Sequence, residues 1–166
     1  MSSSLIDWTT SKISALYAPQ HSSDEDTHTD TAAQLKTDLD SIFAPDAEIH
    51  LNHALVDLEK FKEFVESRRS ETTQVEFQPE DLIETPVEDG NSDAGSIVAG
   101  KITLVKTHKF RIRAAPAKTT TIISFSAKIK QNPEPQIVQL FQTSADRPFK
   151  VTLPTPGSHA VDASAL

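Results

Sequence analysis

The stretch that decides the fold is FAPDAEIHLN, Phe43 to Asn52, where a helical pattern gives way to the alternation of a strand. Pro45 disfavours helical geometry at the residue before it, which ends the preceding helix. Asp46 suits the turn that follows. Residues 47–52 then alternate between apolar and polar side chains, as a half-buried strand does. The sequence therefore predicts a helix that passes straight into a short strand.

Three helices are predicted in the first half of the chain, because apolar residues recur there at helical spacing. Ser4 is a capping residue for the first helix, which Pro19 ends. Asp30 or Thr31 caps the second, and Asp57 caps the third. The apolar stripes that would face the core are Leu5, Trp8, Ile13 and Leu16, then Leu35, Leu39, Ile42 and Phe43, then Leu58, Phe61, Phe64 and Val65.

From residue 72 onward the chain has the alternation and the turn signals of strands. The predicted strands are residues 75–88, 96–113, 118–130 and 136–144. Hairpin-sized connections make the last three an antiparallel meander. Two prolines place the first at a sheet edge, with a bulge or break. The predicted fold class is α+β, with three helices in the N-terminal half packed on one face of a curved, mainly antiparallel sheet.

The bulk composition is that of one globular domain, with 166 residues of which 37% are hydrophobic and 24% charged. We expect the domain to span residues 1–153 and residues 154–166 to form a disordered tail. The chain has no cysteine, which excludes disulfides, Cys-ligated zinc and thiol catalysis. It has no apolar run of the ~20 residues that a membrane span needs and no signal-peptide pattern. A cytoplasmic protein without membrane contacts is therefore expected.

The charge is uneven along the chain. Residues 1–100 carry 6 Lys and Arg against 21 Asp and Glu, whereas residues 101–166 carry 10 against 3. The outward positions of two predicted strands hold much of the positive charge, at Lys109, Arg111, Arg113, Lys128 and Lys130. No aromatic residues interleave with them for base stacking, and the pI is near 5.2, so nucleic-acid binding is not expected. This basic face is interpreted as a dimer interface, a protein-partner surface or a solvated face.

The segment Leu39 to Ile49, LDSIFAPDAEI, resembles the "helix, F-x-P/D-D-A, strand" transition of the NTF2-like (SnoaL-like) superfamily. The LEKFKEFVESRR segment, residues 58–69, resembles the third helix of that superfamily, and the likeness covers roughly residues 4–150. The resemblance implies a cone-shaped α+β barrel that encloses a pocket, and frequent homodimerisation through the outer face of the sheet. The superfamily contains isomerases, cyclases, dehydratases, hydrolases and non-catalytic domains, so membership does not define a function.

The resemblance also implies where a catalytic base would lie. In ketosteroid isomerase-like members a carboxylate occupies the position that Leu51 takes here, and leucine cannot act as a general base. A register shifted by one residue would bring in His50 instead. The side chains expected to line the cone and bind a ligand are Trp8, Phe43, Ile49, Leu51, Phe61, Leu104 and Phe125. The leading hypothesis is a non-catalytic homodimer that holds a small hydrophobic molecule and uses no cofactor or metal.

Lys106 and His108 interrupt the core-facing side of strand 96–113, whose other even positions are apolar or glycine through Ile112. Facing inward, they could bind an anionic or carbonyl-bearing ligand. In a cyclase, isomerase or dehydratase, His108 would be the acid/base and Lys106 would stabilise an oxyanion. The alternative is a bulge that turns both residues to solvent. A third hypothesis is a protein-partner scaffold that uses the basic outer face of the sheet.

No phosphate-binding or metal-binding motif is evident in the sequence. The chain has only four glycines, which excludes a Gly-rich phosphate loop. Residues 89–95, DGNSDAG, resemble the start of a calcium loop, but Ala94 stands where that loop requires glycine. A hairpin loop is therefore expected there.

Overall fold

The computed structural model describes residues 4–19, 28–88, 94–112, 114–131 and 133–148. The elements in chain order are α1 (Leu5–Tyr17), α2 (His28–Ile42), β1 (Phe43–Leu51), β2 (Ala54–Val56), α3 (Leu58–Ser70), β3 (Thr72–Pro86), β4 (Ser96–Ile112), β5 (Ala115–Gln131) and β6 (Pro135–Pro148). The predicted tail at 154–166 and most of the predicted loop at 89–95 lie outside the described residues.

Two of the helices begin at the capping residues that the sequence predicts. Ser4 Oγ accepts a hydrogen bond from the backbone N–H of Ile6 at 3.2 Å, and Asp57 Oδ1 accepts one from Lys60 at 2.8 Å. Each bond satisfies an N–H group that the first helical turn leaves without a partner. The second helix, α2, begins at His28, earlier than its predicted cap. Among the described residues, no helix combines the length and the apolar character that a membrane crossing requires.

The six described strands form one sheet in the order β2-β1-β6-β5-β4-β3. Strands β3 to β6 pair antiparallel with their neighbours in sequence, so the predicted meander is confirmed. Strand β1 lies parallel to β6, with Phe43 opposite Ile137 and His50 opposite Phe141. The three helices pack on this curved, unclosed and mainly antiparallel sheet, and the predicted fold class is therefore confirmed.

The sequence analysis missed strand β2, which has only three residues. Asn52 and His53 have φ angles of 50° and 68°, and they turn the chain so that β2 pairs antiparallel with β1. Two positive φ angles in a two-residue loop are typical of a type I′ hairpin turn. Asparagine is common in such turns but histidine is not, so this hairpin has a weak sequence signal. The third helix therefore follows a hairpin and not β1 directly.

The core lies between the helices and one face of the sheet. The sheet contributes mainly Ile49, Val98, Ile102, Leu104, Ile123, Phe125 and Leu140, and the helices contribute mainly Leu5, Ile13, Leu16, Leu35, Leu39, Phe61 and Val65. The rings of Phe43 and Phe61 meet edge to face with centroids 5.4 Å apart. That geometry is favourable for aromatic pairs, and it ties α3 to the start of β1.

The edge strand β3 carries the break that its prolines predict. Its register against β4 shifts between Glu80 and Ile83, and Asp81 within the shift has a φ of 51°. The bulge brings Leu82 over Gly100, and Leu82 packs against the core. Both the edge position and the bulge are therefore confirmed.

The core-facing side of β4 ends earlier than the sequence predicts. Phe110 belongs to the even positions that were expected to face the core, but its side chain is exposed. The register of β4 against β5 shifts between Thr107 and Arg111. This irregularity turns Phe110 to the surface, and among the positions of β4 whose burial the structure describes, His108 is the last buried one on that side.

Candidate functional site

The apolar side chains predicted to line the cone pack against one another as the core. Five of them are buried in one cluster: Phe43, Ile49, Phe61, Leu104 and Phe125. Trp8 is half-buried against that cluster, and Leu51 is half-buried outside it. None of the seven lines the cleft that is described below. Their role in binding a ligand stays a prediction.

The register of β1 places Ile49 inward and His50 on the outer face of the sheet. Ile49 is fully buried, whereas the His50 ring stacks on Phe141 with centroids 4.5 Å apart. His50 Nε2 also lies 2.5 Å from Glu48 Oε1. The alternative register, with His50 in the cone, is therefore not the one that the chain adopts.

An open cleft of about 520 Å³ lies between the C-terminal half of α3 and the neighbouring parts of β4, β5 and β6. Lys106 and His108 both line it, and only 6% and 9% of their surfaces are exposed. Strand β4 therefore turns these residues inward and not to solvent. The other lining residues are Phe64, Ser67, Arg68, Glu71, Phe110, Thr119, Asp146 and Pro148. A catalytic role for Lys106 and His108 stays a prediction.

Asp146 is the centre of a polar network in this cleft. Arg68 Nη1 donates to both of its carboxylate oxygens, at 2.7 and 2.8 Å. Thr121 Oγ1 donates to Oδ1 at 2.5 Å. The Lys106 ammonium lies 3.6 Å from the same oxygen. The network joins α3 to three adjacent strands, so it holds the cleft walls in place.

The network changes the acidity of its members. Burial lowers the pKa of Lys106, although the nearby Asp146 charge opposes that change. Burial alone would raise the pKa of Asp146, but hydrogen bonds from Arg68 and Thr121 and the charge of Lys106 outweigh it and lower that pKa to about 2. Asp146 is therefore a carboxylate throughout the neutral range.

His108 has one of its two ring nitrogens in a hydrogen bond. Nε2 lies 2.8 Å from Thr119 Oγ1. Nδ1 is buried and has no hydrogen-bond partner among the residues that the structure describes. The ring also stacks on Phe110, with centroids 5.2 Å apart. A buried ring nitrogen without a partner is uncommon in folded proteins.

We expect Asp146→Asn to remove a pH-dependent part of the stability. The folded-state pKa of Asp146, about 2, lies below its ordinary value of 3.8, so its stabilisation is complete above about pH 4 and is lost as the pH falls towards 2. The carboxylate is 43% exposed, so solvent screening reduces the expected contribution to about 1 kcal/mol. Urea unfolding of both proteins at pH 6 and pH 2.5 should show a clearly larger difference at pH 6 than at pH 2.5. An equal difference at both pH values would contradict the assignment.

Two central residues of the cleft were missed as site residues by the sequence analysis. Arg68 lies in the predicted third helix, within the segment 58–69, and was given no role in a site. Asp146 lies beyond residue 144, where the last strand was predicted to end, whereas β6 continues to Pro148. Their ion pair joins positions 78 residues apart, and a single sequence contains no local signal for such a pair.

The outer face of the sheet carries a row of residues that we call the apolar belt. It crosses all six strands through residues that lie directly opposite one another: Leu55, His50, Phe141, Ser126, Ala99 and Ile83. Four large hydrophobic side chains are exposed in the described part of the chain. Three of them are in this row: Leu55, Ile83 and Phe141, at 68%, 60% and 46% exposure. The fourth, Phe110, lies at the cleft.

The described basic residues predicted for the outer face lie near the two ends of the sheet. Lys109 and Arg111 lie near one end of the sheet, in the last part of β4. Lys128 and Lys130 lie in the last part of β5, at the opposite end. Arg113 lies outside the described residues. Between these ends the outer positions of β5 hold small or apolar residues, and Lys101 on β4 forms an ion pair with Glu80 on β3 at 2.6 Å. The middle of the predicted basic face therefore has little net charge.

Known proteins resemble this chain in structure, although none was matched by sequence. No protein-family model matches the chain, and no curated protein matches it in sequence. Among solved structures it is similar to Candida albicans Mtr2 in a complex with the Mex67 M domain, with a TM-score of 0.57 and 10% identity over 88% of this chain and 96% of that one. It is also similar to C. albicans Mtr2 solved separately, with a TM-score of 0.53 and 13% identity over 88% and 95% of the two chains. The chain has the NTF2-like fold.

An NTF2-like protein of unknown function from Exiguobacterium also matches, at a TM-score of 0.49 and 14% identity over 84% of this chain and 98% of that one. The two Mtr2 structures, with TM-scores above 0.5, confirm the resemblance seen in the sequence at the level of the fold. In this NTF2-like chain, no cluster of three or more His, Asp or Glu that could hold a metal occurs among the described residues.

Proposed function

We propose that this chain is an NTF2-like assembly domain that pairs face to face with a second copy of itself through the outer face of its sheet. The observation that carries the proposal is the apolar belt. Three of the four large hydrophobic side chains exposed in the described part of the chain lie in this one row, and exposed apolar groups gathered on one face mark interaction surfaces.

The belt is self-complementary under two-fold symmetry, which a homodimer interface requires. A two-fold axis parallel to the strands and between β4 and β5 would bring β3 of one copy over β6 of the other. Ile83 would then face the second copy's Phe141, and Ala99 would face its Ser126. Aligned packing of two sheets in this way matches the geometry of ordinary β-sandwiches.

The charges at the margins of the face support the same arrangement. Glu76 lies on β3, and its cross-strand row passes through Val105 and Thr120 to Arg147 on β6. The same two-fold axis would bring Glu76 of one copy over Arg147 of the other. Opposite charges at matching positions favour this register and oppose a shifted one.

The packing inside the cone favours a binding surface on the outer face of the sheet. Five of the seven side chains that were expected to line a ligand cavity are packed in the core cluster, whereas three large hydrophobic side chains are exposed on the outer face. The similar Mtr2 structure is a complex with another protein, and that complex is consistent with partner binding by this fold. A different protein partner on the same face is the competing occupant.

We expect Phe141→Glu to convert a dimer into a monomer. Two carboxylates would be buried against the apolar Ile83 side chains of the opposite copies without partners, which would cost far more than the lost ring contacts. The measurement is native mass spectrometry, together with sedimentation equilibrium. Phe110→Glu is the matched control, because it places the same charge on an exposed phenylalanine away from the belt, and it should leave the dimer intact.

A charge exchange tests the proposed symmetry itself. Glu76→Arg and Arg147→Glu should each weaken the dimer, whereas the double variant should restore much of the affinity because the pair is re-formed with reversed signs. If the wild type is still a monomer at about 100 µM, a concentration far above the dissociation constant of a stable homodimer, self-association is excluded. Capture of a different protein by the wild type, but not by Phe141→Glu, would then identify the belt as a surface for that partner.

A further inference from the structure

We propose that the cleft between α3 and strands β4 to β6 binds a small aromatic carboxylate. The Lys106 ammonium would hold the carboxylate, and the ring would lie against Phe64 and Phe110. This site is separate from the apolar belt, so the inference does not depend on dimer formation.

Lys106 has an incomplete set of partners. Its ammonium is 3.6 Å from Asp146 Oδ1, which is longer than an N–H···O hydrogen bond, and no closer acceptor is found among the described residues. Asp146 already accepts from Arg68 and Thr121, so it is not free to turn towards the lysine. A lysine ammonium has three donors, and on this buried side chain the contact with Asp146 satisfies at most one of them, which carries a desolvation cost. An oxygen acceptor that enters the cleft would remove that cost.

His108 provides a second, independent sign of an incomplete site. It lines the same cleft, nine-tenths of its surface is buried, and its Nδ1 has no partner within the described part of the chain. It is two residues from Lys106 on the same inward face of β4, and both residues line this cleft. Unsatisfied donors or acceptors that converge in a cleft are typical of ligand sites.

The charges around Lys106 favour an anion. Asp146 is neutralised by Arg68, and the remaining acidic residue in the lining is Glu71. Strands β4, β5 and β6, which provide the strand walls, carry eight Lys and Arg against one acidic residue, Asp146. A field of this sign attracts anionic ligands, and the effect weakens with added salt.

The walls of the cleft favour a flat ring attached to that anion. Phe64 comes from α3, and its face is covered on one side by the Arg68 guanidinium at 4.5 Å. Phe110 comes from β4 and is exposed at the rim, where its ring stacks with His108. An exposed phenylalanine beside a buried cation provides an apolar surface for a ligand ring.

The test uses 1-naphthoate and its neutral amide, 1-naphthamide, as probes in isothermal titration calorimetry with the full chain. We expect naphthoate to bind at least about tenfold more tightly than the amide, and its affinity to fall when NaCl is raised from about 50 to 500 mM. Lys106→Met should remove this preference and leave both probes with the same weak affinity, because methionine keeps the length and apolar stem of lysine.

Two further variants keep the test decisive if Lys106→Met does not fold. Phe110→Ala, at an exposed position, should weaken naphthoate several-fold without a change in the unfolding midpoint. Phe141→Glu, on the opposite face of the sheet, should bind naphthoate as the wild type does, even where it abolishes the dimer. Equal affinity of the wild type for naphthoate and naphthamide, or no heat of binding at millimolar naphthoate, would overturn the proposal.

Discussion

Replacing Phe61 with alanine is expected to lower the free energy of unfolding by about 4 kcal/mol. Phe61 is fully buried, and its ring packs edge to face on Phe43 and lies against Phe64. Truncation would leave a cavity at the point where α3 and β1 meet the sheet. The surrounding side chains come from several elements and cannot close that cavity without moving a helix. Urea unfolding followed by circular dichroism would measure the loss.

Phe110→Ala is the matched control for this prediction. It removes the same atoms from an exposed position, and its effect on the free energy of unfolding should be below about 0.5 kcal/mol. A loss of less than about 2 kcal/mol for Phe61→Ala would mean that the interior of the cone adjusts easily. That result would favour the hypothesis that a small hydrophobic molecule enters the cone.

Gly95→Ala is expected to destabilise the fold by about 3 kcal/mol, the second largest effect that we predict. Gly95 has a φ of 87°, which L-residues rarely adopt. A Cβ atom at this position would also collide with the backbone oxygen of Ile129 on β5. Backbone atoms in a paired strand cannot move aside without loss of ladder hydrogen bonds. Thermal and urea unfolding of the variant would show the effect directly.

Gly95→Ala combines an unfavourable positive φ with a steric clash, whereas Gly100→Ala introduces a steric contact alone. Its Cβ would lie 2.5 Å from Leu82 Cδ2, which is the end of a flexible side chain, and 3.1 Å from the backbone atoms Asp81 O and Leu82 Cα. These backbone contacts are much longer than the one at Gly95, and the backbone of Gly100 does not have a positive φ. We expect a loss of about 1 kcal/mol for this variant, because the leucine can change rotamer. If both alanine variants were equally stable, the steric account of Gly95 would be wrong.

The order of helices and strands could be predicted because each element has a local signal. The strand that follows Pro45 is visible in its alternation, and the inward position of Ile49 follows from the same period of two. The alternation of β4 likewise placed Lys106 and His108 on the core-facing side, where the structure has them. Patterns of this kind depend only on neighbouring residues, so one sequence is sufficient to read them.

The features that were missed depend on which strands lie side by side. The apolar belt exists only because Leu55, Phe141 and Ile83 come into one row through the registers of six strands. Each is an isolated apolar residue in its own strand, so none has a local signal. The contact between Arg68 and Asp146 has the same origin, since α3 and β6 meet only in the folded sheet.

The parallel pairing of β1 with β6 determines when the protein can finish folding during its synthesis. The other neighbour of β1 is β2, which offers only three residues for pairing. Most of β1 therefore has no sheet partner until residues 137–142, which pair with it, have left the ribosome. Contacts of such long sequence separation form late and slow the folding reaction. Until then Phe43 and Ile49, two of the most deeply buried residues, remain available to chaperones.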